Sequence, residues 1–108
     1  MSSRNAVRVG AMTLTISKAQ KQACRFYELL FALCERVLPG CGCDIVLLPE
    51  RSALKAEDRQ PIDGPHFQRF ARLARQHKLY LLAPLAELAG GACYNTHAVI
   101  SPAGELVH

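Results

Sequence analysis

The stretch Asp44-Ile45-Val46-Leu47-Leu48-Pro49-Glu50 constrains this chain more than any other. Four consecutive apolar residues read as a short strand buried on both faces. Pro49 ends the ladder, because proline has no backbone N–H to donate. Glu50 follows at once, so a carboxylate stands at the carboxyl end of a buried strand. In open α/β sheets, ligands bind at that end.

The flanking sequence supplies partners for such a strand. Val7 to Thr15 alternates and then shifts phase, which predicts a first strand with a bulge near Gly10. Ser17, with Gln20 three residues on, reads as a capping box opening a long helix. Ala19, Ala23, Phe26, Leu30, Leu33 and Val37 form its apolar stripe, and Pro39-Gly40 ends it. Strand, helix, strand is a βαβ unit with parallel strands and a right-handed crossover. Arg51 to Ile62 reads as a polar loop. Asp63-Gly64-Pro65 opens a second helix, with Phe67, Phe70, Ala71 and Ala74 on its apolar face. Leu79 to Leu88 is a third strand, nearly all apolar and so expected to be buried, with Pro84 marking a bulge or an end. Gly90-Gly91 is a hairpin signal, Cys93 to Ser101 the returning strand, and Ser101-Pro102-Ala103-Gly104 a tight turn before a last strand. The order β-α-β-α-β-β-β predicts an α/β fold, a mixed sheet with helices on one face. The sequence stops just as that last strand begins, which suggests one truncated domain over 1–108.

Composition narrows the function. With 108 residues there is room for one compact domain. A formal charge of +4 is too small and too dispersed to imply nucleic acid. No apolar run approaches the roughly 18 residues needed to span a bilayer. The N-terminus lacks the apolar core of a secretory signal, so the expectation is a cytoplasmic protein. Five cysteines form no disulfide framework and are expected to be free thiols.

Several side chains could carry chemistry, and each has a plainer reading. Glu50 is either a solvated loop acid or a general base made more basic by the apolar strand end behind it. Cys41 and Cys43 could be half a metal site, but no second Cys/His pair at zinc spacing accompanies them, so two incidental thiols in a turn is the plainer reading. Cys93 with His97 four residues on could be nucleophile and base, yet no activating helix end adjoins them. Arg69, Arg72, Arg75 and Lys78 recur every three residues, as a phosphate stripe or a solvated helix face. The second is favoured, since no aromatics interleave. His66 and His77 read as polar surface residues.

Four segments, taken in order, resemble the N-terminal part of the nitrilase superfamily, the carbon–nitrogen hydrolases. They are VRVGAMTLT followed by a long helix, CDIVLLPE, IDGPHFQRFARLARQHKLYLLAPLAE, and CYNTHAVISPAGELVH. PE alone is weak, but PE, DGP, YNT and PAG in this order and spacing are specific together. The resemblance covers residues 7–108 and implies the N-terminal half of an α-β-β-α sandwich. It implies that Glu50 is the catalytic base of a Glu-Lys-Cys triad, and that Cys93 precedes a structural strand rather than serving as nucleophile. Thr13-Leu14-Thr15 stands where a glutamine is common, and Cys41-Gly42-Cys43 where small residues are usual. The family's lysine and cysteine come after the "dGel" turn, so only the glutamate is expected here, and the chain alone is expected to be inactive.

The resemblance further implies a small amide, nitrile or N-carbamoyl substrate, a homo-oligomer, and no need of a metal or an organic cofactor. A non-catalytic α/β module used for oligomeric assembly is the alternative. Half of a two-sheet sandwich should expose apolar faces and strand edges, so self-association or poor solubility is expected.

Overall fold

The computed structural model describes residues 6–13, 26–49 and 59–107. Its elements are β1 (Val9–Ala11), α1 (Phe26–Val37), β2 (Ile45–Leu47), β3 (Arg59–Gln60), α2 (Pro65–His77), β4 (Tyr80–Ala89) and β5 (Ala92–Ile100). They build a five-stranded mixed sheet. β1 pairs with β2, and β2 with β4, all parallel, as the βαβ reading requires. β4 is central. One of its edges is taken along nearly its whole length by antiparallel β5, and the other is shared by β2 and the two-residue β3. β3 falls inside the segment expected to be a loop. The predicted capping box and the first two positions of the apolar stripe lie outside the described residues.

Both helices pack on one face of the sheet. Phe26, Leu30, Phe31 and Cys34 of α1, and Phe70, Ala71 and Ala74 of α2, join Val46, Leu81, Ala83, Ala98 and Ile100 in one core. The apolar face of α2 is as predicted. That of α1 is rotated: Tyr27 and Phe31 are buried, whereas Val37 is 45% exposed. The aromatic rings decide this rotation, because Phe31 and Phe70 interlock with centroids 4.6 Å apart and carry more apolar area than Leu33 or Val37. His66 is no surface residue either. It is half-buried, with its ring stacked 3.9 Å from that of Tyr27.

Two expectations about glycine and proline change their meaning. β1 runs in unbroken register with β2 from Val9↔Ile45 to Ala11↔Leu47, so no bulge occurs at Gly10. Glycine is needed there for space, since a Cβ would lie 2.8 Å from the Cys43 sulfur. Pro84 causes neither a bulge nor an end, and sits in mid-strand opposite His97. The Leu82 carbonyl accepts a bond from the Leu48 N–H at 3.0 Å, so it faces the β2 edge. Residues two apart on a strand face the same way, so Pro84 also addresses that edge. There β2 has ended at Leu82 and β3 begins only at Ala86. The missing N–H falls in a gap between strands and costs the ladder nothing.

The turns match their sequence signals. Gly90 and Gly91 both have positive φ, 58° and 82°, in a two-residue hairpin loop closed by Ala89 and Ala92. Pro65 starts α2, and the Gln60 side chain accepts the His66 N–H at 2.9 Å, capping the helix from outside. α2 ends at Lys78, which takes the left-handed conformation with φ 55°, so the basic repeat on the helix itself is Arg69, Arg72 and Arg75. The last predicted strand amounts to a single bridge, Ile100 to Leu106.

Candidate active site

The carboxyl ends of β1 and β2 lie side by side and are locked by backbone bonds. The Met12 N–H donates to the Leu47 carbonyl at 2.9 Å, and the Leu48 N–H to Leu82. Beside them opens a cavity of about 410 Å³, whose lining includes Met12, Thr13, Leu47, Pro49, Leu82 and His97. It is mostly apolar, with His97 and Thr13 contributing the polar groups. A pocket of that kind suits a small organic molecule whose orientation is fixed by a few polar contacts. Pro49 forms part of its wall, and Glu50 is the next residue of the chain. Glu50 itself lies outside the described residues.

The gap between β2 and β3 adjoins this corner. It is bridged by Tyr27, whose hydroxyl donates to the Pro84 carbonyl at 2.9 Å in a buried setting. The first turn of α1 therefore plugs the sheet where the chain leaves β2. Sequence reading missed Tyr27. The available signal was Pro84, a residue with no N–H in a buried strand, whose carbonyl still needs a partner from outside the ladder.

The other candidates resolve differently. Cys93 and His97 sit opposite Leu88 and Pro84 on β5. Four residues along a strand separate the two backbones by about 13 Å. His97 instead belongs to the cavity at the strand ends. Thr96, of the YNT segment, donates to Glu87 at 2.9 Å across the hairpin. Cys34 is fully buried, and burial, followed by the charge of Glu35, pushes its thiol up to about 12. That is a core thiol.

Cys41 and Cys43 flank Gly42, whose φ of 72° turns the chain back on itself. The Cys43 N–H donates to the Cys41 sulfur at 3.5 Å, and the Cys43 thiol points at the Cys41 carbonyl at 3.7 Å. Partial burial and then a side-chain hydrogen bond with Cys41 push the Cys43 thiol up, while Arg8 acts the other way. Among the described residues no group of three or more His, Cys, Asp or Glu could hold a metal ion.

The basic repeat of α2 is an outer face. Arg69 pairs with Glu35 at 3.1 Å, both about half exposed, and lies over the Phe31 ring at 4.4 Å. Arg75 covers the turn at Gly104, where φ is 78° and a Cβ would strike that arginine. A larger cleft of about 700 Å³ opens here, between Glu35, Pro39, Arg72 and His77. It lies on the outer face of the helices, away from the strand ends, and its charges are of both signs. No helix among the described residues is long and apolar enough to cross a membrane.

Comparison with known proteins places this geometry. No curated protein matches the chain. Similar solved structures include a crystal structure of N-terminal amidase, at 16% identity and a TM-score of 0.69, covering 94% of this chain and 27% of that one. A crystal structure of N-terminal amidase with an Asn-Glu-Ala peptide gives the same figures. One with a Gln-Val peptide gives 16% identity, a TM-score of 0.66 and the same coverages. At this identity the likeness establishes the α/β fold, and the chain spans about 27% of the length of these structures. A family model described as carbon-nitrogen hydrolase matches residues 8–108. The chain therefore belongs to the carbon–nitrogen hydrolase family.

Proposed function

We propose that this chain supplies the glutamate arm of a Glu-Lys-Cys hydrolase acting on amide, nitrile or N-carbamoyl groups of small molecules. One observation carries the reading. The segment CDIVLLPE delivers Pro49 to the wall of an apolar cavity at the carboxyl ends of two parallel strands, with Glu50 next in the chain. Glu50 takes the proton from a cysteine thiol, which attacks the amide or nitrile carbon. A lysine stabilises the negative charge of the tetrahedral intermediate. Glu50 returns its proton to the nitrogen, so that ammonia or an amine departs and a thioester remains, and Glu50 then activates the water that hydrolyses it. A carboxylate suits all three steps, because one group must act as base, then acid, then base again. The resemblance assigns neither the lysine nor the cysteine of the triad to a position in these 108 residues.

The test begins with the coding sequence beyond His108. A lysine within a few residues and a cysteine well after it are expected. Expressed with that sequence, the protein should release ammonia from small amides, and Glu50→Gln should lower kcat by about 10²- to 10⁴-fold. Amide turnover by the 108-residue chain alone, undiminished by Glu50→Gln, would overturn both the role and the division of the triad.

A second reading has its own support. Val9, Leu47, Tyr80 and Leu88 are exposed apolar side chains on one sheet face. That face suits a non-catalytic module or a homo-oligomer assembled sheet to sheet. A stable oligomer of defined size, with no lysine or cysteine encoded downstream, would favour it.

A further inference from the structure

The Cys41-Gly42-Cys43 turn has no part in the proposed hydrolysis. It lies at the amino end of β2, opposite the end that carries Pro49. Three features set it apart from two incidental thiols. First, the side chains fold over one another: Cys41 presents its sulfur to the Cys43 N–H, and the Cys43 thiol lies against the Cys41 carbonyl. The positive φ of Gly42 makes this possible, since a residue with a Cβ adopts that conformation only under strain. Second, Gly10 on β1 leaves space for the Cys43 sulfur, which any larger residue would displace. Third, a cation is in place. The Arg8 guanidinium reaches the turn, with Nη1 3.5 Å from where a Cβ on Gly42 would stand. The carboxylate nearby, Asp44, accepts the Arg8 N–H at 2.9 Å, which pins β1 to the turn.

We propose that this turn is a two-thiolate site for a soft monovalent cation, Cu(I). Thiolate sulfur is the ligand type that such an ion selects. Zinc would need about four ligands, and among the described residues no group of three or more His, Cys, Asp or Glu could hold a metal ion, Asp44 being turned to the Arg8 N–H. Cu(I) is satisfied by two sulfurs in line. Binding breaks two S–H bonds, releases two protons and forms two S–Cu bonds, with no change of oxidation state. The complex carries one net negative charge, which Arg8 offsets.

The experiment is an anaerobic competition between the 108-residue chain and a chromophoric Cu(I) chelator. The native chain should withdraw one copper per molecule. Replacing both cysteines (Cys41→Ser with Cys43→Ser) should weaken this by at least about 100-fold, although Cys24, Cys34 and Cys93 remain. Arg8→Gln, a change at an exposed side chain, should weaken it by about 10-fold. Equal competition by the double-serine chain, or none by the native one, overturns the site. Should the double variant fail to fold, X-ray absorption of the copper-loaded native chain decides. Two sulfur neighbours support the proposal, and a third ligand overturns it.

Discussion

The two faces of the sheet are built from the same strands and have opposite fates. Toward the helices, Val46, Leu48, Leu81, Ala83, Leu85, Ala98 and Ile100 are at most 5% exposed. On the other side, Val9 is 67% exposed, Leu47 41%, Tyr80 40% and Leu88 42%. Alternation along a strand sends neighbours to opposite faces, so Leu47 and Leu48 part company within one residue. An apolar run therefore states that both faces prefer cover. It does not state what covers them. The expectation that Ile45 to Leu48 is buried on both sides fails at Leu47, and on the outer face of β4 the chain is exposed at Tyr80 and Leu88 but buried at Pro84 and Ala86.

Removing one large side chain from each face separates the two. Phe70 is fully buried and touches the rings of both Phe31 and Tyr27. Phe70→Ala should cost about 3–5 kcal/mol in urea denaturation, enough to unfold much of the population at 25 °C. Leu47→Ala in the same assay should cost less than about 1 kcal/mol, because much of its area is already in water. Similar losses from the two would mean that Leu47 is covered in solution.

A second test sharpens the burial of the helical face through pH. The Cys34 thiol is raised to about 12 from an ordinary value of 9.0. Its folded pKa therefore lies above its unfolded one. Below pH 9 both states hold the proton and stability is unaffected. Between pH 9 and 12 the unfolded chain loses the proton first, so stability falls as pH rises. The full span of three pH units corresponds to a loss of about 4 kcal/mol. Cys34→Ala should abolish that alkaline loss, at the expense of a small cavity, and urea midpoints at pH 7, 9 and 11 would show it. An unchanged pH profile in the variant would mean that Cys34 is accessible in the folded state.

The same contrast explains what was legible in the sequence. The parallel pairing of β1, β2 and β4, the helix opened by Gly64-Pro65 and the glycine hairpin were all readable. Each rests on a local rule: period, proline at the first helical position, positive φ. The errors share a different origin. The rotation of α1 toward Tyr27 and Phe31, the stacking of His66 and the spacing role of Gly10 depend on residues 30 or more positions away. No local period encodes that. Glu50 was legible as a candidate because a motif marks it, and it lies outside the described residues. His97 was not legible as part of this corner, since strand pairing with Pro84 is what brings it there.

The smallest expected change in stability bears on the uncovered face, and there the larger signal lies in association. Leu47 and Leu88 stand on that face near its two ends, on β2 and β4. Threonine has the β-branched shape that strands favour and carries a hydroxyl that water can satisfy. Leu47→Thr with Leu88→Thr should move folding stability by no more than about 1 kcal/mol. The native chain, carrying an exposed apolar face beside open strand edges, should self-associate as its concentration rises. In light scattering the double variant should shift toward the monomer. If the native chain stays monomeric across a wide concentration range, an exposed Leu47 and Leu88 are not enough to drive assembly, and the second functional reading falls with that result. If it associates and the double variant does so equally, the contact lies at the strand edges instead. The two faces would then differ in burial without differing in consequence.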